Sequence, residues 1–211
     1  YYGGQDGVLR WRFNYLRIAV NEYCNLRCIY CMPEKGAVFQ DEGRLLTKNE
    51  ICKIIKIMAS LGISKIRFTG GEPLIRKNIL DLIEFTCLKT DISSIHLTTN
   101  GIVLPRYIKQ LESIGLSGVN ISLDTLNEEK FQKITRREGL DKVLDGLQLA
   151  IDSSIKSVKV NVVAMRNFND DEIIDFAELT KSNDITVRFI ELMPFDSHQI
   201  WKTGKFYKAD R

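Results

Sequence analysis

The sequence predicts an α/β fold, an incomplete (βα)6 TIM-type barrel with parallel strands. Three observations carry that expectation. Six short apolar runs with period-two alternation are spread along the 211 residues. Amphipathic segments of helical period lie between them. Two of the helix-to-strand junctions echo each other, Ser60-Leu61-Gly62-Ile63-Ser64 and Ser113-Ile114-Gly115-Leu116-Ser117. Strands that alternate with helices pair in parallel through right-handed crossovers. Eight such units close a barrel, so six leave it open on one side. An open doubly wound sheet is the competing architecture.

The strands are expected at 15–20, 65–69, 94–99, 118–123, 158–163 and 186–190. Thr47-Lys48-Asn49-Glu50 reads as a capping box. It opens a helix with Ile51, Ile54, Ile55, Met58 and Leu61 on one face and Gly62 as the stop. Pro105 suits the first turn of a helix that carries Ile108, Leu111 and Ile114 and ends at Gly115. Asn169-Asp170-Asp171-Glu172 starts another, with Ile173, Phe176 and Ala177 facing inward. No composition break marks a second domain. The expected organisation is a core over 1–194 and a polar C-terminal extension over 195–211, the start of a missing C-terminal region.

Composition narrows the function classes. Hydrophobic residues make up 44% and charged residues 27%, as in a soluble globular protein. The longest apolar runs are too short for a membrane helix, so no membrane association is expected. The N-terminus shows no signal peptide and no initiator methionine, which suggests an excised or incomplete chain. The net charge of +3 gives no argument for nucleic acid. Arg136-Arg137 reads as a solvated helix face. A homodimer stays open.

Five cysteines are present, three of them in Cys24-Asn25-Leu26-Arg27-Cys28-Ile29-Tyr30-Cys31. They are too close together for an ordinary disulfide framework and point to thiolate chemistry in a reducing compartment. Three thiolates can hold three irons of a cubane cluster and leave the fourth open to a substrate. A closed zinc site wants four ligands, usually in two separated pairs, so a zinc knuckle would have to be completed from elsewhere. Cys52 and Cys87 fall on helix patterns and read as small core residues.

Strand alternation supplies a second constellation. One face of the strands is apolar and must meet the helices. The other carries Arg17, Lys65, Arg67, His96, Thr98, Asn120, Ser122, Lys159, Asn161 and Arg188. Barrel interiors are ordinarily filled with branched apolar side chains. Unpaired buried cations cost several kcal/mol each, so an anion, such as a polyphosphate, is expected to fill this one. Solvated edge strands are the plainer alternative for any single cation. His96 reads as a hydrogen-bonded neighbour in the lumen, and His198 as an exposed residue. Gly70-Gly71-Glu72-Pro73 follows the second strand. Paired glycines allow close approach to the backbone, and Glu72 could accept from an ammonium group. Thr98-Thr99-Asn100-Gly101 and Ser122-Leu123-Asp124 end strands three and four, where barrel active sites gather.

The cysteine loop after strand one and Gly-Gly-Glu-Pro after strand two together resemble the radical S-adenosylmethionine (SAM) superfamily. Leu16-Arg17-Ile18, Tyr30-Cys31-Met32-Pro33, Lys65-Ile66-Arg67-Phe68-Thr69, Asn120-Ile121-Ser122-Leu123-Asp124, Lys159-Val160-Asn161 and Arg188-Phe189-Ile190-Glu191-Leu192-Met193 are similar to the GTP 3′,8-cyclase family of molybdenum cofactor (molybdopterin) biosynthesis. The likeness runs from about residue 15 to 194. It implies one 4Fe–4S cluster on Cys24, Cys28 and Cys31, and SAM against Tyr30, Gly71, Ser122 and Met193. It implies GTP against Arg17, Arg67, Thr98 and Lys159, with Lys65 and Arg188 as further triphosphate candidates. No catalytic residue beyond the cluster and SAM site is expected. The implied reaction is a lyase one: SAM yields a 5′-deoxyadenosyl radical, and GTP becomes 3′,8-cyclo-7,8-dihydro-GTP. The implied partners are an external electron donor and the downstream cyclic pyranopterin monophosphate synthase protein. The implied location is bacterial cytoplasm or mitochondrial matrix. Family members also carry a C-terminal three-cysteine cluster that Cys52 and Cys87 cannot supply. The expectation is that this chain cleaves SAM but cyclises GTP slowly or not at all. Another radical SAM enzyme, acting on a peptide or small molecule, is the alternative function, and a non-catalytic zinc or phosphate-binding barrel the third.

Overall fold

The computed structural model describes residues 13–33, 35 and 45–192. Met193, His198 and the extension over 195–211 lie outside the described residues. Six parallel strands form one sheet in chain order: β1 (Tyr15–Ala19), β2 (Lys65–Thr69), β3 (Ser94–Thr99), β4 (Gly118–Ser122), β5 (Ser157–Ala164) and β6 (Ile185–Glu191). β1 and β6 are its two edges and do not pair with each other, so the sheet is not closed. Each expected strand is present, with ends shifted by at most one residue.

Six helices make the crossovers: α1 (Lys48–Ser60), α2 (Ile79–Lys89), α3 (Ile108–Ile114), α4 (Glu128–Thr135), α5 (Leu140–Ile151) and α6 (Ile173–Ser182). The capping box at Thr47 and Glu50 is formed in both directions. The echoed junctions are one device used twice. Gly62 and Gly115 sit at φ +94° and +93°, where a side chain would be strained. After each, a backbone N–H reaches back: Ile63 to the Met58 carbonyl at 3.1 Å and Leu116 to Leu111 at 3.0 Å.

Two helix expectations are corrected. Pro105 lies in a separate 3₁₀ turn, Leu104–Arg106, and α3 begins only at Ile108. Ala177 is exposed, and Phe176 is the buried residue of α6. That helix lies over the last strand, where Phe176 meets Phe189 edge-on at 6.3 Å. Cys52 and Cys87 are half-buried at the margin of the core rather than inside it.

The core lies between sheet and helices. Ile66, Phe68, Leu97, Val119, Ile121 and Val160 are fully buried on the outward face of the strands, against residues such as Ile55, Leu82, Leu111 and Val143 from the helices. Each such side chain contributes about 1.5–3 kcal/mol by burial. This face follows the period-two pattern, so the opposite face is fixed as well. Register aligns Arg17, Arg67, His96 and Gly118 in one row, and Thr98, Asn120 and Lys159 in the next row toward the strand C-termini.

Candidate active site

The cysteine loop leaves β1 at the C-terminal rim of the sheet. Arg76 gathers its two ends by donating to the carbonyls of Val20 and Leu46. Within it, the amides of Cys31 and Met32 both donate to the Cys28 carbonyl at 2.9 Å, a single tight turn. The Arg27 and Ile29 amides donate to the Thr135 and Ile134 carbonyls, the orphan acceptors at the C-terminus of α4. Arg136, the next residue, takes a left-handed conformation at φ 56°. Its guanidinium donates to the Arg27 carbonyl at 2.9 Å and to Met32 at 3.0 Å. The expected solvated face at Arg136 is therefore wrong: this arginine clamps the cysteine loop, while Arg137 alone is exposed.

The paired glycines are approached closely, but by the protein itself. A Cβ on Gly71 would stand 2.1 Å from the Tyr23 carbonyl oxygen, and one on Gly70 2.5 Å from that of Asn21. The Gly71 and Glu72 amides donate to those carbonyls of Asn21 and Tyr23. Glu72 is fully buried. Its carboxylate accepts from the Leu74 amide at 3.0 Å, the Thr99 hydroxyl at 2.8 Å and the Asn100 amide at 2.7 Å. Burial raises its pKa although all three hydrogen bonds lower it. The expected ammonium acceptor is thus a brace between the β2 and β3 loops, with no surface open to a ligand.

Between these pieces lies a cavity of about 370 Å³, lined by Cys24, Cys28, Cys31, Asn21, Gly70 and Gly71 among others. Burial raises all three thiols, Cys28 most, with the Asp124 charge next in its case. Among the described residues, no three His, Cys, Asp or Glu side chains converge as they would on one metal ion. Three thiols lining one cavity, with no fourth such side chain beside them among the described residues, are a donor set that fits an open iron–sulfur cluster. Asn21 is among the lining residues, and its side-chain oxygen is buried without a hydrogen-bond partner.

Tyr30 does not line the cavity. Its hydroxyl donates to Asp124 at 2.5 Å, and Asp124 also accepts from the Val163 amide at 2.8 Å. Burial pushes the Asp124 carboxyl up to about 6 against both hydrogen bonds, and the Tyr30 phenol well above its usual value. Tyr30 packs on Ile134, Met165 and Leu192, so it anchors the loop to β4, β5 and α4. Ser122 is exposed at the rim, opposite Asn161.

The lumen holds the other expected residues together. Arg67 is 7% exposed and donates to the Tyr15 hydroxyl at 2.8 Å and the Thr98 hydroxyl at 3.1 Å. Burial alone would raise the Tyr15 phenol; hydrogen bonds and charge from Arg17 and Arg67 outweigh it. Burial lowers the Lys159 ammonium, and Arg188, Lys65 and Arg67 lower it further. Burial pushes His96 down to about 4, with Lys65, Arg67 and Lys159 acting in the same direction. Asp124, the acid on this face, is already held by Tyr30 and Val163. Arg17 and Arg188 are exposed, as befits edge strands.

A (βα)6 sheet open on one side, with a three-thiol cavity at its C-terminal rim and a cationic lumen beneath, defines a class. The Radical SAM superfamily profile matches residues 18–180, and the chain belongs to that superfamily. The chain is 47% identical over 206 residues to a GTP 3′,8-cyclase of Peptoclostridium acidaminophilum, covering 97% of this chain and 63% of the relative. It is 48% identical over 192 residues to the human molybdenum cofactor biosynthesis protein 1, covering 91% of this chain and 30% of that one. The chain thus spans about three-fifths of the length of the bacterial relatives it matches. Among solved structures, Streptococcus suis SuiB bound to S-adenosylmethionine superposes with a TM-score of 0.71 at 18% identity, over 93% of this chain and 43% of that one. That likeness shows the shared fold.

Proposed function

We propose that the chain is the SAM-cleaving core of a GTP 3′,8-cyclase. The carrying observation is the lumen: Lys65, Arg67, Lys159 and Arg188 repel one another across it, and none of the ion pairs formed among the described residues involves them or Arg17. A row of cations around the buried Arg67, with no acid paired to them among the described residues, suits a polyanion, and a nucleoside triphosphate is the polyanion named by the relatives at 47–48% identity.

Cys24, Cys28 and Cys31 would hold one 4Fe–4S cluster as thiolates. When bound, that group supplies the single electron that breaks a carbon–sulfur bond of SAM and so yields a 5′-deoxyadenosyl radical. Gly71, Ser122 and Met193 are proposed SAM contacts, and Tyr30 contributes by holding the loop in register with β4. Arg17, Arg67, Thr98 and Lys159, with Lys65 and Arg188, would bind GTP beneath it. Their part is to orient the ribose and base for conversion to 3′,8-cyclo-7,8-dihydro-GTP. An external electron donor and the cyclic pyranopterin monophosphate synthase protein are the proposed partners, in a reducing compartment. Among the described residues, no helix is long and apolar enough to cross a membrane.

The test is anaerobic reconstitution followed by dithionite, SAM and GTP. The expected result is a brown protein whose paramagnetic resonance changes with SAM, which releases 5′-deoxyadenosine, and which GTP protects from heat. A protein with a SAM-responsive cluster that GTP does not protect would instead favour a peptide or small-molecule substrate.

A further inference from the structure

The residue that follows β3, Asn100, touches the cysteine loop through its side-chain amide. The Asn100 side-chain amide donates to Asn25 Oδ1 at 2.8 Å and lies 3.6 Å from Cys24 Sγ. Its orientation is fixed independently. Asn100 Oδ1 accepts from the Ile102 backbone amide at 3.1 Å, so the NH₂ end must face the cysteine. Its backbone is fixed too, because the Asn100 amide donates to buried Glu72 at 2.7 Å, and the Gly101 amide to Thr99 Oγ1 at 3.1 Å. Cys24 Sγ accepts a second N–H, from Leu26 at 3.4 Å. Elsewhere in the loop, backbone N–H groups go to oxygen: Arg27 to Thr135, Ile29 to Ile134, Cys31 and Met32 to Cys28. Cys24 thus meets a side-chain donor 76 positions away, whereas the side-chain hydrogen-bonding neighbour of Cys28 is Tyr30, from within the loop itself.

Hydrogen bonds to ligand sulfur favour the more negative, reduced state of an iron–sulfur group and so raise its potential. Groups behind the first ligands also fix ligand orientation. We propose that Asn100, braced by Glu72, is a positioning residue for Cys24 that donates to its sulfur and raises the reduction potential of the group bound there. This rests on the reading of the three cysteines as cluster ligands.

The experiment is a redox titration of the reconstituted chain, followed by paramagnetic resonance, on wild type, Asn100→Ala and Asn100→Asp. Asn100→Asp keeps the acceptor for Ile102, so the turn survives while the donor is lost. Both variants are expected to titrate at a more negative potential. At a fixed donor potential the reduced-to-oxidised ratio falls several-fold, about 59 mV for a full tenfold at one electron. Asn25→Ala removes the other partner of the same amide, leaves the donor on sulfur, and is expected to keep the wild-type potential. An Asn100→Ala protein that loads iron fully and titrates with wild type overturns the proposal. So does failure of both variants to load iron, because the amide would then hold the loop rather than tune it. If wild type itself binds no SAM-responsive cluster, the radical SAM reading of the site fails instead.

Discussion

At the rim of the sheet, carboxylates and an arginine are bound to other groups of the chain before any ligand arrives; in the lumen, cations face one another and several polar atoms have no partner. Glu72 accepts three hydrogen bonds, Asp124 joins Tyr30 to Val163, and Arg136 ties two loop carbonyls. Below them, Asn120 Oδ1 and His96 Nδ1 are buried without a partner, and His96 faces Lys65, Arg67 and Lys159. An unsatisfied buried polar atom costs about 1–3 kcal/mol, so the lumen is the less comfortable region. The rim is a preorganised cradle whose geometry is made by the chain. On the proposed function, the lumen is completed by the anion it binds.

The largest way to break this contrast is to remove a ligand from the cradle. Cys28→Ala is expected to abolish SAM cleavage, read as loss of 5′-deoxyadenosine, with iron and sulfide content falling far below wild type. The lumen is then still intact, so GTP is expected to protect this variant from heat to the same extent as wild type. Loss of GTP protection in Cys28→Ala would show that the two regions are not separable.

The converse change comes next in size. Arg67→Ala deletes a buried guanidinium with bonds to Tyr15 and Thr98. A charge-assisted hydrogen bond is worth about 1.5–3 kcal/mol, so loss of one to GTP should weaken binding by roughly ten- to 150-fold. Removing one of several repelling cations also relieves the free protein. The expected signature is therefore double: melting temperature unchanged or raised without GTP, and little shift when GTP is added. Cluster content should match wild type. A variant that melts lower in both conditions would mark Arg67 as structural.

These outcomes bear on what could be read from the sequence. The six strands, the cysteine trio and the cationic face were legible because each is periodic or contiguous: alternation fixes which side chains share a face, and Arg67, His96 and Lys159 follow from it. The braces were not legible. Arg136 reaches carbonyls 109 and 104 positions away, and Tyr30 reaches Asp124 across 94. No local pattern records such a pairing, so Arg136 looked like solvated charge and Glu72 like a ligand contact.

A smaller effect sharpens the rim side. Arg136→Gly suits the left-handed backbone at φ 56° but lacks the guanidinium. If the residue matters for its conformation, glycine is neutral or stabilising. If it matters as a clamp, the loop loses two bonds to charged nitrogen. The expected result is near-normal melting with iron loading reduced several-fold and SAM cleavage slowed in proportion. Arg136→Lys should recover part of the loading through a single donor. Equal loading in wild type and Arg136→Gly would remove the clamp from the account.

The smallest effect, and the one specific to the lumen, is the acid limb of stability. His96 lies on β3 with its Nε2 bonded to Ser94 Oγ at 2.8 Å, and Gly118 of β4 gives its ring room. Facing it are Lys65 and Arg67 of β2 and Lys159 of β5, all cations, with Arg17 of β1 in the same register row. Its folded pKa is depressed from 6.5 to about 4. The unfolded chain therefore binds this proton more readily than the folded one. Stability is full above about pH 6.5 and is lost as pH falls from there toward 4, by roughly 1–2 kcal/mol after allowing for relaxation around a ring that can shift. His96→Gln should flatten that limb of a melting-temperature profile between pH 7 and 4. GTP should flatten it in wild type, because its phosphates offset the cations that hold the proton off. A limb that survives His96→Gln unchanged would place the titration elsewhere. A limb insensitive to GTP would mean that no anion reaches the row of Arg67 and His96, and the lumen would have to be completed by something other than a triphosphate.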